Sequence, residues 1–140
     1  MAETQNPIVI SDLDIEAGIH HVMATYPPLT NDRHRVDVTI EDGVVHVSGY
    51  VKSAPTYKYL VNHFSSVKGV REFILEDFYN DEDIRLDVAK AVPPGLSVNV
   101  EYGAVILSGR LPDGMEIKEL VRQVGLVDGV HRVRTHFTNV

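Results

Sequence analysis

The side chains with which this chain could do chemistry are seven histidines and twenty carboxylates, so their spacing is taken first. A metal site needs ligands that converge. His20 and His21 are adjacent in a helical stretch, which turns them about 100° apart, and His46, His63, His131 and His136 show neither the HExxH pattern nor any comparable spacing. They read as structural or surface groups. The acidic clusters Asp12/Asp14/Glu16 and Asp81/Glu82/Asp83 lack the glycine-centred loop and terminal glutamate of a calcium site. Both clusters stand at helix starts, where carboxylates complement the dipole. Ser48-Gly49 and Ser108-Gly109 are not embedded in G-x-S-x-G, and no phosphate-cradling glycine loop precedes a helix. The chain has no cysteine, which removes disulfides, thiolate ligands and cysteine nucleophiles. The expectation is a non-enzyme with no catalytic residues, no metal and no cofactor, and with its ligand-binding residues unassigned.

The elements that would position any site follow a pattern met twice. Ser11 can cap a helix whose apolar stripe is Ile15, Ile19, Val22 and Met23. Pro27-Pro28 ends it, and Leu29 to Arg35 reads as a polar loop holding the basic cluster Arg33-His34-Arg35. Val36, Val38 and Ile40 alternate with polar residues as in a half-buried strand. Asp42-Gly43 suits a type I′ turn, and Val45, Val47 and Val51 continue on the return strand. Ser53 caps a second helix with its stripe at Tyr57, Leu60, Val61 and Phe64; Gly69 suits the left-handed position past its end, and Phe73-Ile74-Leu75 reads as a third strand. From Asn80 the order starts again: Asn80 or Asp81 can cap a helix with Ile84, Val88, Ala91 and Val92, and there follow the turn Tyr102-Gly103, a capping-box pair Asp113/Glu116, and the stripe Ile117, Leu120, Val121 and Val124.

From Val36 to Val70 the copies align without a gap at an offset of 60, with Gly43, Gly49 and Gly69 falling on Gly103, Gly109 and Gly129. These six glycines mark the scaffold, with Gly49 and Gly109 expected to let a helix approach the sheet closely or to form a bulge. The sequence therefore divides into a tail at 1–10 and two αββαβ units at 11–79 and 80–140, with no flexible linker at Phe78-Tyr79-Asn80-Asp81. Tyr57 falls on a core stripe, whereas Tyr59, off the stripe, and Tyr102, at a turn, are expected at the surface.

Bulk properties narrow the partners. The net charge is -7, from six basic against eleven acidic residues in 1–79 and seven against nine in 80–140. That balance disfavours nonspecific nucleic-acid binding, and no nucleic-acid partner is expected. The start of the chain lacks the basic and apolar run of an export signal, so the expected location is cytoplasmic, or periplasmic where a leader has been removed.

The repeated pattern V-x-[VI]-x-x-G-x-V-x-[VL]-x-G followed by V-x-G-V lies within Val36–Gly49 with Val67–Val70, and spans Val98–Gly109 with Val127–Val130. It resembles the BON domain, a bacterial module often found in tandem. The resemblance implies an α+β fold of two tandem αββαβ domains, each a small three-stranded mixed sheet with two helices on one face. It also implies a non-catalytic protein that binds phospholipid or another membrane or envelope-associated surface in a stress or maintenance role. A self-associating cytoplasmic scaffold, pairing through sheet edges or through Ile8-Val9-Ile10, is the alternative expectation. A small-ion sensor is the third expectation; the potassium-responsive branch of the family carries a LysM domain, and no LysM segment occurs here.

Overall fold

The computed structural model describes residues 10–140. Ile8 and Val9 lie outside the described residues; Ile10 packs beside the first core, against Gly69 and Ile15. The element order is α1 (Asp12–Thr25), α2 (Pro27–Asp32), a 3-10 turn (Arg33–Arg35), β1 (Val36–Glu41), β2 (Val44–Val51), α3 (Ala54–Phe64), β3 (Glu72–Asn80), α4 (Asp81–Ala91), β4 (Leu96–Glu101), β5 (Ala104–Gly109), α5 (Ile117–Gly125) and β6 (Arg132–Phe137). The strands form two three-stranded sheets, ordered β1-β2-β3 and β4-β5-β6. In each, a hairpin supplies an antiparallel pair and the last strand returns parallel to the hairpin's second strand. This is the expected tandem αββαβ α+β architecture.

Local chemistry explains the elements. Ser11, Ser53 and Asn80 sit in extended backbone at the N-caps of α1, α3 and α4, and each side chain accepts from the amide three residues on. Ile15 and Ile19 from α1 and Leu60 and Phe64 from α3 meet Val45 and Val47 of β2, all essentially without solvent contact. The second core repeats this with Ile84 and Val88, Leu120 and Val124, and Val105 and Leu107. Alternation does the sorting on the strands: inward residues of β1 are buried or half-buried and outward ones exposed.

Several local expectations fail for physical reasons. The segment after Pro27-Pro28 is a second short helix and a 3-10 turn, because proline at N1 and N2 starts a helix as readily as it stops one. Glu116, rather than Asp113, is the N-cap of α5, and no side chain caps it; Pro112–Met115 instead closes a turn through Met115 N–H to the Pro112 carbonyl. On α3 the buried face is Thr56, Leu60 and Phe64, leaving Tyr57 half-buried and stacked on Phe78 at 4.8 Å between ring centroids. Gly69 is left-handed, at φ +100°, but lies five residues beyond the end of α3, in the turn that leads to β3.

The sheets differ at one point. In the second, β5 and β6 stay in register through Ser108–His136 and Gly109–Phe137. In the first, the register shifts between Val47 and Gly49, and Asp77 takes a φ of +49°. The extra residue is a β-bulge, which increases local twist, and pairing with β2 resumes at Phe78 and continues to Asn80. Three residues later β3 ends at Asn80, which is itself the cap of α4. One residue closes the first repeat and opens the second.

Candidate functional site

Two carboxylates hold the two hairpins. Asp12, at the first position of α1, accepts from Asp42 N–H through Oδ2 and from Gly43 N–H through Oδ1, both at 2.9 Å. Asp81, at the first position of α4, accepts from Tyr102 N–H at 2.7 Å and Gly103 N–H at 3.1 Å. The turn geometry makes this possible: Asp42 and Gly43, at φ +51° and +80°, and Tyr102 and Gly103, at +46° and +81°, point successive amides the same way. The acids that the sequence places at helix starts thus also tie each hairpin to its first helix. The first clamp is partly open to water, whereas the second is buried. Burial pushes the Asp81 carboxyl above its usual range, and the two amides oppose that shift.

The second clamp is buried because Tyr102 enters the first module. The residue expected at the surface is 6% exposed. Its hydroxyl donates to Asp32 Oδ1 at 2.7 Å, while Asp32 Oδ2 accepts from Lys52 N–H at 2.9 Å. The Arg35 guanidinium and Lys52 ammonium lie 4.9 and 5.4 Å from the ring centroid, and His34 meets the ring edge-on. The cover of Tyr102 comes from residues fifty to seventy positions earlier, which no local pattern reveals. In the opposite direction, Tyr50 and Tyr79 of the first module pack against the second core, and Tyr50 Oη–H donates to the Gly129 carbonyl at 2.7 Å. Each module therefore lends tyrosine to the other.

The six marker glycines divide along this joint. A methyl at Gly103 would strike the Tyr50 ring, and one at Gly129 would come within 2.8 Å of Tyr79. Their counterparts face their own module: Gly43 faces Arg71, and Gly69 faces Ile10. At Gly49 the close neighbour is the Arg35 carbonyl oxygen at the start of β1, and at Gly109 it is the Gly95 carbonyl at 3.2 Å. Adjoining backbone, not a helix, is what approaches these two positions.

The joint should report itself in alkali. Burial foremost, then the hydrogen bond to Asp32, pushes the Tyr102 phenol well above its ordinary value of 10.0; burial also raises Tyr50 and Tyr79. A phenol raised on folding stabilises the fold fully below its unfolded pKa, and that contribution is lost as pH rises toward the folded value. Melting temperature should therefore fall above about pH 10, and less steeply in Tyr102→Phe than in the wild type. Identical slopes for the two proteins between about pH 10 and 12 would contradict this assignment.

The histidines are dispersed. His20, His21, His63, His131 and His136 are exposed and His46 is half-buried on the outer face of β2. His63 Nδ1 lies 2.9 Å from the Tyr59 carbonyl and His131 Nε2 lies 3.0 Å from the Tyr102 carbonyl. Tyr59 is half-buried, its ring stacked on both Tyr26 and His63. Among the described residues no three His, Asp or Glu side chains converge as metal ligands, and no helix is long and apolar enough to cross a membrane. A cleft of about 630 Å³ lies between α1, α2 and the β1 edge, with Ile19, Met23 and Val38 inside and His20, Arg33 and Glu16 at its rim.

A second surface is the outer face of each sheet, turned away from the helices. In the first module it carries Asp37, Thr39 and Glu41 on β1, Val44, His46 and Ser48 on β2, and Glu72, Ile74 and Glu76 on β3. In the second, β6 presents Arg132, Arg134 and His136, all exposed, on the face shared with Ala104, Ile106 and Ser108. Period-two alternation makes both faces legible in the strand sequences.

Two tandem αββαβ modules, joined without a linker and clamped by equivalent aspartates, define the class. The BON domain family model matches residues 11–72 and again 80–139, and the chain belongs to the BON domain family. The solved C-terminal domain of CdsD, a structural protein of the type III secretion system of Chlamydia trachomatis, is similar in fold. It aligns with a TM-score of 0.72 at 14% identity over 94% of this chain and 68% of that one. A second CdsD structure aligns at 11% identity over 89% of this chain and 91% of the other, and its TM-score of 0.40 is too low to bear on the fold. No curated relative matches the chain significantly.

Proposed function

We propose that this protein is a non-catalytic tandem BON module that binds a phospholipid or envelope-associated surface in a stress or maintenance role. The observation that carries the reading is the family match to both repeats, 11–72 and 80–139. BON modules act by binding rather than by catalysis. The face best suited to an anionic surface is the outer side of β6, where Arg132 and Arg134 stand on one side of an edge strand, about 7 Å apart. Guanidinium groups at that spacing can each meet a phosphate through paired N–H donors.

Co-sedimentation with vesicles tests this. Binding to vesicles rich in anionic phospholipid and not to neutral ones, weakening as salt rises from about 20 to 300 mM, is the expected result. Arg132→Glu with Arg134→Glu should remove the binding. Failure to sediment with any vesicle at low salt rejects the lipid reading.

A further inference from the structure

The outer faces of the two sheets are built on equivalent positions and carry opposite charge. Glu72 of β3 corresponds to Arg132 of β6, Ile74 to Arg134, and Glu76 to His136; on the opposite edge Asp37 of β1 corresponds to Ser97 of β4. The first face thus holds four carboxylates, Asp37, Glu41, Glu72 and Glu76, whereas the second holds two arginines against the single carboxylate of Glu101. All of these side chains are exposed. The ion pairs formed among the described residues are Lys90–Asp87 and Arg122–Glu119, so among these residues neither set of charges is joined in an ion pair.

We propose that copies of this chain associate by laying the basic outer face of the second module on the acidic outer face of the first module in a second copy. The acidic face is hollow. A trough of about 660 Å³ runs over it, bordered by Asp37, Glu41, Asp42, His46, Ser48 and Glu76, and roomy enough for two guanidinium groups; Arg71, which donates to the Asp42 carbonyl, is the one cation in its lining. Arg132 and Arg134 project from one side of one strand, so both can enter the trough together. An arginine fork meets a carboxylate through two parallel N–H donors, which orients the contact as well as attracting it. Behind the charges, the half-buried Val44 and Ile74 on one face and Ala104 and Ile106 on the other supply an apolar centre.

Size sets the strength. Three strands about 5 Å apart and five residues long span roughly 10 by 17 Å of backbone, well short of the ~800 Å² per partner of a stable complex. A single contact is therefore weak and salt-sensitive. Each copy carries one face of each kind, so the contact closes into a reciprocal pair or a ring, or runs on as a chain. The association shares the β6 face with the lipid reading without depending on it.

Charge reversal decides the matter by sedimentation velocity, with the full chain at about 0.1–1 mM and ~100 mM salt, where the long-range repulsion of the -7 net charge is largely screened. The wild type should self-associate. R132E/R134E alone, with two acidic faces, and E72R/E76R alone, whose first face then sets two arginines beside Asp37 and Glu41, should each weaken association about tenfold or more. An equimolar mixture of the two variants should associate again, since the unchanged acidic first face of R132E/R134E then finds the unchanged basic second face of E72R/E76R. All four positions are exposed on edge strands, and unchanged melting curves would confirm that each variant is folded. A wild type that stays monomeric, reversals without effect, or a mixture that stays monomeric would each overturn the proposal. Vesicle binding through Arg132 and Arg134 by a protein that never self-associates would overturn it too, and would leave those arginines to lipid.

Discussion

Asp81→Ala should destabilise the protein by about 3 kcal/mol, several-fold more than the equivalent Asp12→Ala. Both changes remove a carboxylate that accepts from two consecutive turn amides. The difference lies in what can replace it. Around Asp42 and Gly43 water reaches part of the turn, so the loss is limited to about 1 kcal/mol of net hydrogen bonding. Around Tyr102 and Gly103 the amides are buried under the first module, and each is left without an acceptor. An unsatisfied buried donor costs about 1–3 kcal/mol. For a chain of this length ~3 kcal/mol lowers the melting temperature by roughly 6–12 °C. Asp81→Asn, which keeps one acceptor oxygen, should fall between alanine and wild type. Equal losses for Asp81→Ala and Asp12→Ala would show that the joint does not seal the second turn.

Gly49→Ala should be costlier still, about 4 kcal/mol or more, and enough to leave much of the protein unfolded at 37 °C. Two effects add. The φ of +112° lies where L side chains are strained, and the new methyl would overlap the Arg35 carbonyl oxygen. That oxygen belongs to backbone locked between the 3-10 turn and β1, so it cannot swing aside as a side-chain tip would. Two other glycines separate the contributions. Gly109 has the same φ, at +113°, but its neighbour is the carbonyl of Gly95, a residue with open space around it; Gly109→Ala should cost about 2 kcal/mol. Gly114 has φ +82° and nothing nearby, so Gly114→Ala should cost only the conformational term of about 1 kcal/mol. Chemical denaturation of the three variants checks the order, and a Gly49→Ala protein as stable as Gly114→Ala would refute it.

The parts of the fold that were legible are those whose cause is local. The hairpins follow from alternation at Val36, Val38 and Ile40 and from turn residues that tolerate positive φ at Asp42-Gly43. The caps at Ser11, Ser53 and Asn80 precede visible apolar stripes. What escaped depends on residues far apart in sequence. The burial of Tyr102 depends on Asp32, seventy positions away, and the turn clamps join residues about twenty to thirty apart. The bulge at Asp77 has no local mark, since an aspartate gives no notice that a strand will take a left-handed step there. The short helix after Pro27 was hidden by an ambiguity in proline, which starts helices and ends them. For the interaction surfaces the reverse holds. The charges of β3 and β6 are plain in the strand sequences, but their opposition needs the two sheets matched residue by residue.

The exchange of tyrosines also makes the two halves non-interchangeable. A third unit docked as the second docks on the first would need a turn tyrosine entering a pocket on the second module. Where the first module offers Arg35 and Lys52, the second has Gly95 and Pro112 in the aligned positions. At the other end, the first module's own turn carries Asp42 where Tyr102 would be needed to fill a pocket upstream. The duplication has become an asymmetric couple, in which the residues that hold Tyr102 have no counterparts at the aligned positions of the second module.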